Sequence, residues 1–570
     1  MEVEMLASVR KGPRWTATVV LAGMLVAIMG CAPSQQGSEP SGAERGPTRP
    51  NILRVAGSVD VTVFHDRLRP GNDSPLDPYV NAGLADRDHS QVIHPVLLER
   101  LPSQDDGSWI VNPDGTMRTL LTLRKDLKWH DGSPLTSADI VFAFQVYRDR
   151  DIPLFSDLPE RYMTSVVAVD DRTIEVNWRE IYVEAGTPAK NHLAPLPRHL
   201  LASLYDQDKK AFLSSPFWTT EQYVGTGPFA VATRDPGVRV TLQANPYFVL
   251  GRPNIDTIQF DVVPDKNTIV VRLLAGEVDF AEYRSIQAQD AQTLGEHWKT
   301  SGAGQIYNTF QSNRLLWFQH RDVPGHQKAM LDVRVRQAIM HAIDREALGR
   351  AETAGLAGAS DSPFAPTDAI WPRIERAITK YPLDPRRTEA LLNGAGWAKA
   401  ADGLFRNATG ETLDVEITAS SDHPKEPLII SDFLKRAGID AKPVPTSEAL
   451  EADPEYRASF PGASVQSSSP GVYNRVEGAQ AATAANNYRG QNRSGYANPQ
   501  FEALIRRLAT TLDERARDDL LVEMEAFVSA DVALGHLYYQ VRPAVGLRSL
   551  KGITGLAGSY AWNVWEWRFE

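Results

Sequence analysis

Several short constellations along the 570-residue chain combine acids, bases or nucleophiles. Trp129-His130-Asp131-Gly132 sets a base beside an acid, the raw material of proton transfer. Asp-Gly is also turn chemistry, and Thr136 reads as a helix cap, so His130 is expected to be structural. Gly225-Thr226-Gly227-Pro228 has the glycines of a phosphate loop, but it lacks the following lysine and helix and runs into a strand instead. His320 and His326 share a loop-like stretch, yet the 12 histidines show no ligand spacing, so no metal site is expected. There is no Gly-x-Ser-x-Gly elbow, His-Glu-x-x-His helix or cysteine nucleophile, and the many carboxylates form no distinctive couple. Binding without turnover, and without a cofactor, is the expectation.

The single cysteine, Cys31, has a different chemistry. Arg10, Lys11 and Arg14 precede an apolar run from Val19 to Met29, shorter than the roughly 20 residues that span a bilayer. A basic region, a short apolar core and a small residue at the junction describe a secretory signal over residues 1–30. Ile28-Met29-Gly30-Cys31 resembles the bacterial lipobox, in which the cysteine thiol carries lipid. Residues 31–50, rich in Pro, Gly and Ser, form a flexible tether. The chain is thus expected to be exported and lipid-anchored, at the outer face of the cytoplasmic membrane or in the periplasm, its only contact with the membrane being that anchor. An exported chain with one thiol has no internal disulfide and depends on its cores.

These residues must be held by a large body. The length suggests two or three lobes, and a formal charge of −11 argues against nucleic-acid binding. Ile174–Trp178, Val238–Leu242 and Ile258–Val262 alternate as strands. Thr136-Ser137-Ala138-Asp139 starts a helix with Ile140, Val141, Phe144 and Tyr147 on one face. Asp384-Pro385 and Asn498-Pro499 open two more, the latter with Phe501, Leu504, Ile505 and Leu508 as its stripe. A last long helix from about Asp513 packs through Leu520, Leu521, Met524, Phe527 and Val528. In the helix after Asp332, Val335, Ile339, Ala342 and Ile343 face the core, while Arg334, Arg336 and Arg345 are expected on the outer face. Strands and helices mix without a fixed repeat, which makes an α/β body of more than one lobe.

Longer landmarks run in a fixed order. Asp114-Gly115-Thr116 leads to Leu121-Thr122-Leu123-Arg124 and Trp129-His130-Asp131-Gly132-Ser133-Pro134-Leu135-Thr136. Leu196-Pro197-Arg198-His199 follows, then Gly225–Phe229, Asn245-Pro246-Tyr247-Phe248 and Gly251–Asp256. Leu274–Asp279, Asp332–Arg345, Tyr381–Pro385, Gly394–Trp397 and Tyr496–Phe501 complete the series. Together they resemble the large solute-binding proteins of ABC importers, the extracytoplasmic family 5 with dipeptide-, oligopeptide- and nickel-binding members.

That resemblance implies a two-lobe hinged clamshell of the periplasmic-binding-protein type, with an extra subdomain in the first lobe. Lobe I would span 51–310 with the subdomain inserted near 90–200, lobe II 311–539, and residues 540–570 would return to lobe I. A monomer would close on a peptide-like or other small polar solute and deliver it to permease subunits served by a separate ATPase. A surface sensor or adhesin on the same fold is the alternative, and a secreted hydrolase a more distant one. Peptide-binding relatives anchor the ligand amine with an acid after a tryptophan. The corresponding stretch here, Pro461 to Tyr473, holds neither, although Glu477 lies a few residues on. A buried ammonium without a counter-charge is costly, so a modified peptide, an opine-like compound, a sugar or a chelate is expected instead. By position in the family, Phe64, His65, Trp317, Phe318, Tyr473, Asn474, Asn487, Tyr488 and Arg489 are the ligand-binding candidates.

Overall fold

Alternating patterns produce the strands Thr173–Trp178, Arg239–Ala244 and Thr257–Val262, which bury alternate side chains over much of their length. The computed structural model describes residues 51–570 apart from 69–73, 90–91, 153–158, 189–191, 284, 367, 422, 452, 469–472, 489 and 555–560. The expected signal, Cys31, the tether and Arg489 therefore lie outside the described residues. No helix among the described residues is long and apolar enough to cross a membrane.

Local chemistry also explains the helices. The Asp139 carboxylate accepts the Thr136 amide at 2.9 Å, closing the capping box of helix Ser137–Arg148. Asp384, Asn498 and Asp513 cap helices Pro385–Gly394, Pro499–Thr510 and Glu514–Asp531. The face of Ser137–Arg148 is broader than one stripe. Phe142, Ala143, Val146 and Tyr147 pack into one apolar cluster, whereas Ile140, with Val141 and Phe144 half-buried, packs against another. This helix is wedged between two cores.

The central ten-stranded sheet runs in space Asp440–Val444, Asp414–Ala419, Ala463–Ser468, Gly304–Phe318, Gly535–Leu547, Phe280–Ala281, Ile52–Gly57, Thr257–Val262, Arg239–Ala244, Phe229–Asp235. Three of these strands matter most: β1 (Gly304–Phe318), β2 (Ala463–Ser468) and β3 (Gly535–Leu547). At 15 and 13 residues, β1 and β3 far exceed a usual strand of about five or six. They pair antiparallel from Gly304↔Leu547 to Leu316↔Gly535. Each passes through at least two cores. Tyr307 of β1 and Ala544 of β3 join Leu53, Phe229, Phe260 and Trp567, while Leu316, Phe318, Leu537 and Tyr538 join Val415, Ile417, Ile430 and Leu434. A separate four-stranded sheet, Trp109–Val111, Met117–Thr122, Thr173–Trp178 and Met163–Ala168, has its own core around Leu121, Trp129 and Ile174.

The landmark motifs prove architectural. The His130 ring accepts from Gly225 N at 3.1 Å and lies 3.0 Å from the Gly227 carbonyl, and burial pulls its pKa down to about 4. Gly225 and Gly227 bring their turn against Tyr79–Asn81, where a side chain has no room. A Cβ on Gly227 would stand 2.4 Å from the Val80 carbonyl carbon and 2.5 Å from Asn81 N, both immobile backbone atoms. Gly227→Ala is expected to cost about 1–3 kcal/mol or more, and a thermal unfolding midpoint equal to wild type would refute this packing role.

The helix Val333–Ala342 buries Val335, Ile339 and Ala342 as expected, with Ile343 just beyond it. Its arginines divide. Arg334 is exposed and pairs with Asp332 at 2.6 Å. Arg336 is buried and donates to the Met330, Leu331 and Asp531 carbonyls. Arg345, which opens the next helix, Arg345–Glu352, is buried as well, donating to Ser360 O at 2.7 Å, Tyr381 O at 2.8 Å and His536 O at 3.1 Å. These two therefore do not occupy the outer face; each gathers carbonyls from segments distant in sequence, which repays the cost of burial.

Candidate functional site

Alternation along β1 sends Leu316 and Phe318 into one core and Leu315 and Trp317 into another, the latter with Tyr473, Phe501 and Met524. β2 lies alongside in the register Arg314↔Ser467, Leu315↔Gln466, Trp317↔Ser464. Its first half carries Ala463 and Val465 around Ser464, its second half is wholly polar, and beside that polar half is a cavity of about 440 Å³. Arg314 and Trp317 come from β1, and Gln466 and Ser467 from β2. Ser420 enters from the end of Asp414–Ala419, Glu451 and Arg457 from two short helices, Arg475 from the turn after Tyr473, and Gln491 and Arg493 from the bends on either side of Asn492. Both faces of the β1–β2 pair contribute, so the cavity lies across the strand ends.

Charge is the notable property of this wall. Arg314 is buried and held by Glu426, its Nε 2.7 Å from Oε1 and a second N–H on Oε2. Arg314 also donates to the Ser467 and Ser420 hydroxyls at 2.8 and 3.1 Å. Arg475 donates to the Ser467 carbonyl and lies 5.8 Å from the Trp317 ring centroid, within cation–π range. Arg493 makes one long contact, 3.4 Å to the Gln466 side-chain oxygen. The buried Nε atoms of Arg457 and Arg475, and the Trp317 indole N–H, have no hydrogen-bond partner. Burial, reinforced by Arg457 and Arg475, pulls the Arg493 guanidinium down to about 10, and burial also lowers Arg475. Glu451 is the one acid in the wall, with one oxygen on the Ser421 amide at 2.9 Å and hydroxyl at 2.6 Å.

Of the described positions expected to touch ligand, Trp317 alone lines the cavity. Phe64 is fully buried against Tyr223, and His65 sits between Tyr147 and Trp218 in the same core. Phe318 points into the core opposite Trp317. Tyr473 packs on Phe501 and donates its hydroxyl to Glu525 at 3.0 Å. Asn474 lies in the 3-10 turn Tyr473–Val476 that places Arg475. Asn487 is exposed with φ 52°, and Tyr488, φ 56°, donates to Glu455 at 2.9 Å. Glu477 is not in the wall; beside Glu502, its carboxyl is raised by burial first and by that neighbour second. Sequence reasoning missed the arginines. The polar end of β2, Gln466-Ser467-Ser468, was the available signal.

A metal would find one cluster among the described residues, Glu352, His423 and Glu426, whose donor atoms lie within 4.8 Å of one another. Glu426 already gives both oxygens to Arg314 and accepts from Tyr538 at 2.6 Å, and that guanidinium repels a cation. His320 offers no ligand either: buried against Tyr496, it is pulled down to about 3 by desolvation first and by Arg336 second.

Two cores threaded by a pair of shared long strands, with a polar cavity beside one of them, define a two-lobed binding protein. Residues 105–483 match the model for bacterial extracellular solute-binding proteins, family 5, and the chain belongs to that family. It is 23% identical over 442 residues to the oligopeptide-binding protein AppA of Bacillus subtilis, covering 75% of this chain and 76% of that protein. The heme-binding protein A of Haemophilus influenzae is 27% identical over 378 residues, 62% of each chain. In three dimensions the chain resembles NikA from Brucella suis, solved with Fe(III)-EDTA, at TM-score 0.72 and 20% identity over 91% of this chain and 100% of that one. It also resembles AppA of Bacillus subtilis, solved with a nonapeptide, at TM-score 0.69 and 20% identity over 92% and 100%. The fold is the two-lobe clamshell, and a solute-binding role follows from the family.

Proposed function

We propose that this protein is the extracytoplasmic receptor of an ABC importer, capturing a peptide-like or other small polar solute between its lobes and delivering it to a permease. The observation that carries the reading is the polar cavity beside β1 and β2, β1 being one of the two long strands that enter both cores. Lobe I comprises 51–310 and 540–570 with its subdomain near 90–200, and lobe II comprises 311–539. Support for that division comes from the change of core along each long strand, between Tyr307 and Leu316 and between Tyr538 and Ala544. Bending there would move the lobes as bodies, and a ligand touching both would favour closure by its differential affinity. The signal at 1–30 directs export, and the lipid on Cys31 holds the receptor near its transporter, outside the cytoplasm. Such proteins bind and release without chemical change, which agrees with relatives named for binding.

Native mass spectrometry of the protein released from membranes tests both parts. The expected result is a chain beginning at Cys31 with acyl mass, carrying a non-covalent small molecule that leaves intact on denaturation. An unlipidated chain would overturn the anchor, and conversion of the retained molecule on incubation would overturn capture without turnover.

A further inference from the structure

Arg457, Arg475 and Arg493 converge on one cavity in a protein whose net charge is −11. None of the three forms an ion pair with a described residue; their polar contacts are carbonyl or amide oxygens, or are missing altogether. Arg314 does not share this condition, because Glu426 neutralises it. The wall thus holds three uncompensated guanidiniums against the single carboxylate of Glu451. Charges of one sign, desolvated and crowded together, raise the energy of the empty site. A surface with no task would relax by turning such long side chains into water. Here they are held in: Arg475 by the Ser467 carbonyl and the Trp317 ring, Arg493 beside Gln466.

From this geometry we infer that the ligand is a small organic anion bearing at least two oxyanion groups, bound by Arg457, Arg475 and Arg493. The inference rests on the solute-binding reading and narrows its substrate class. A guanidinium offers paired N–H donors that match a carboxylate in a two-point contact, and such charge-assisted bonds are roughly twice as strong as neutral ones. The volume of about 440 Å³ lies within the span of small-molecule sites. Gln466 and Gln491 add neutral donors and acceptors for the uncharged part of the solute. Glu451 could take an amine, so an acidic peptide and an amine-free polycarboxylate share the chemistry that fills this site.

The test is calorimetric titration of the full folded chain with Glu-Glu, Ala-Ala, Lys-Lys and citrate, in wild type and in Arg493→Gln. Glu-Glu or citrate should bind, with Ala-Ala and Lys-Lys weaker by at least about tenfold. Arg493→Gln should weaken that binding by about 10- to 100-fold, while the ligand-free variant melts at or above the wild-type temperature, because a repelling charge has gone. That second readout separates the proposal from a structural role, which would lower the melting point. Binding of Glu-Glu without citrate identifies the acidic peptide and makes the Glu451 contact necessary; citrate binding as tightly as Glu-Glu identifies the polycarboxylate. Equal binding of Ala-Ala, no response to either anion, or an unchanged affinity in Arg493→Gln would overturn the inference. The receptor reading would stand or fall separately, on the molecule retained in native mass spectrometry.

Discussion

Glu426→Ala should be among the most damaging single changes in this protein, costing about 3–5 kcal/mol of unfolding free energy. Arg314 and Glu426 are buried, with side chains 2% and 0% exposed, and meet through two N–H···O contacts. Glu426 stands in the first turn of helix Glu426–Ala437, where a negative charge also suits the helix dipole. Its Oε1 accepts from Tyr538 of β3 at 2.6 Å, so one carboxylate ties together β1, β3 and the helix. Alanine would leave the guanidinium buried without its carboxylate, with the Ser467 and Ser420 hydroxyls as insufficient replacement. The double change Arg314→Met with Glu426→Leu should recover most of the loss, since well-packed apolar residues replace buried ion pairs at little cost. Urea unfolding of the three proteins decides this. If the double variant is as unstable as the single one, shape rather than uncompensated charge governs the site.

The contrast between Arg314 and its neighbours in the cavity explains what could be read from sequence. Helix starts such as Thr136–Asp139, Asp384-Pro385 and Asn498-Pro499 were legible because a cap and the groups it satisfies lie within four residues of each other. The strand at Thr257–Val262 was legible because alternation is local too. Trp317 was found at the cavity because its place on a family strand constrains it. Arg336 and Arg345 were misplaced since much of what holds them, the carbonyls of Asp531 and His536, lies 195 and 191 residues away along the chain. The same reason hid Arg457, Arg475 and Arg493, which come from three separate segments and meet only in the folded protein, around β2. Phe64 and His65 differ from their expected placement for another reason. A strand end facing a cleft and a strand end facing a core have the same pattern, and only the packing of Tyr223, Tyr147 and Trp218 around them distinguishes the two.

Raising the pH should weaken the fold through one buried acid. Glu525, in helix Glu514–Asp531, is buried, and desolvation pushes its carboxyl up to about 7, with the Ser362 and Tyr473 hydroxyls pulling the other way at 2.8 and 3.0 Å. In the unfolded chain the same group titrates near 4.5. Between those values the folded state binds more protons than the unfolded one, so stability is full below about pH 4.5 and is lost as pH rises through about 7. The loss above that range amounts to about 3 kcal/mol. Buried histidines act in the opposite sense. His130 near 4, and His320 and His536 near 3, are all depressed by desolvation, so they penalise the fold as pH falls below about 6.5. The whole-protein profile therefore mixes both trends, and a difference between variants is needed to isolate the acid. Glu525→Gln keeps the shape and the neutrality of the protonated form. It should match wild type near pH 4, below the unfolded pKa, and exceed it by up to about 3 kcal/mol at pH 8. Chemical denaturation across that interval measures the difference directly. A constant offset, independent of pH, would mean that Glu525 stays in one protonation state throughout. The effect also bears on the cavity, because Tyr473 begins the turn that holds Arg475. A negative charge forming behind that turn would draw on the same Tyr473 hydroxyl that now anchors the wall.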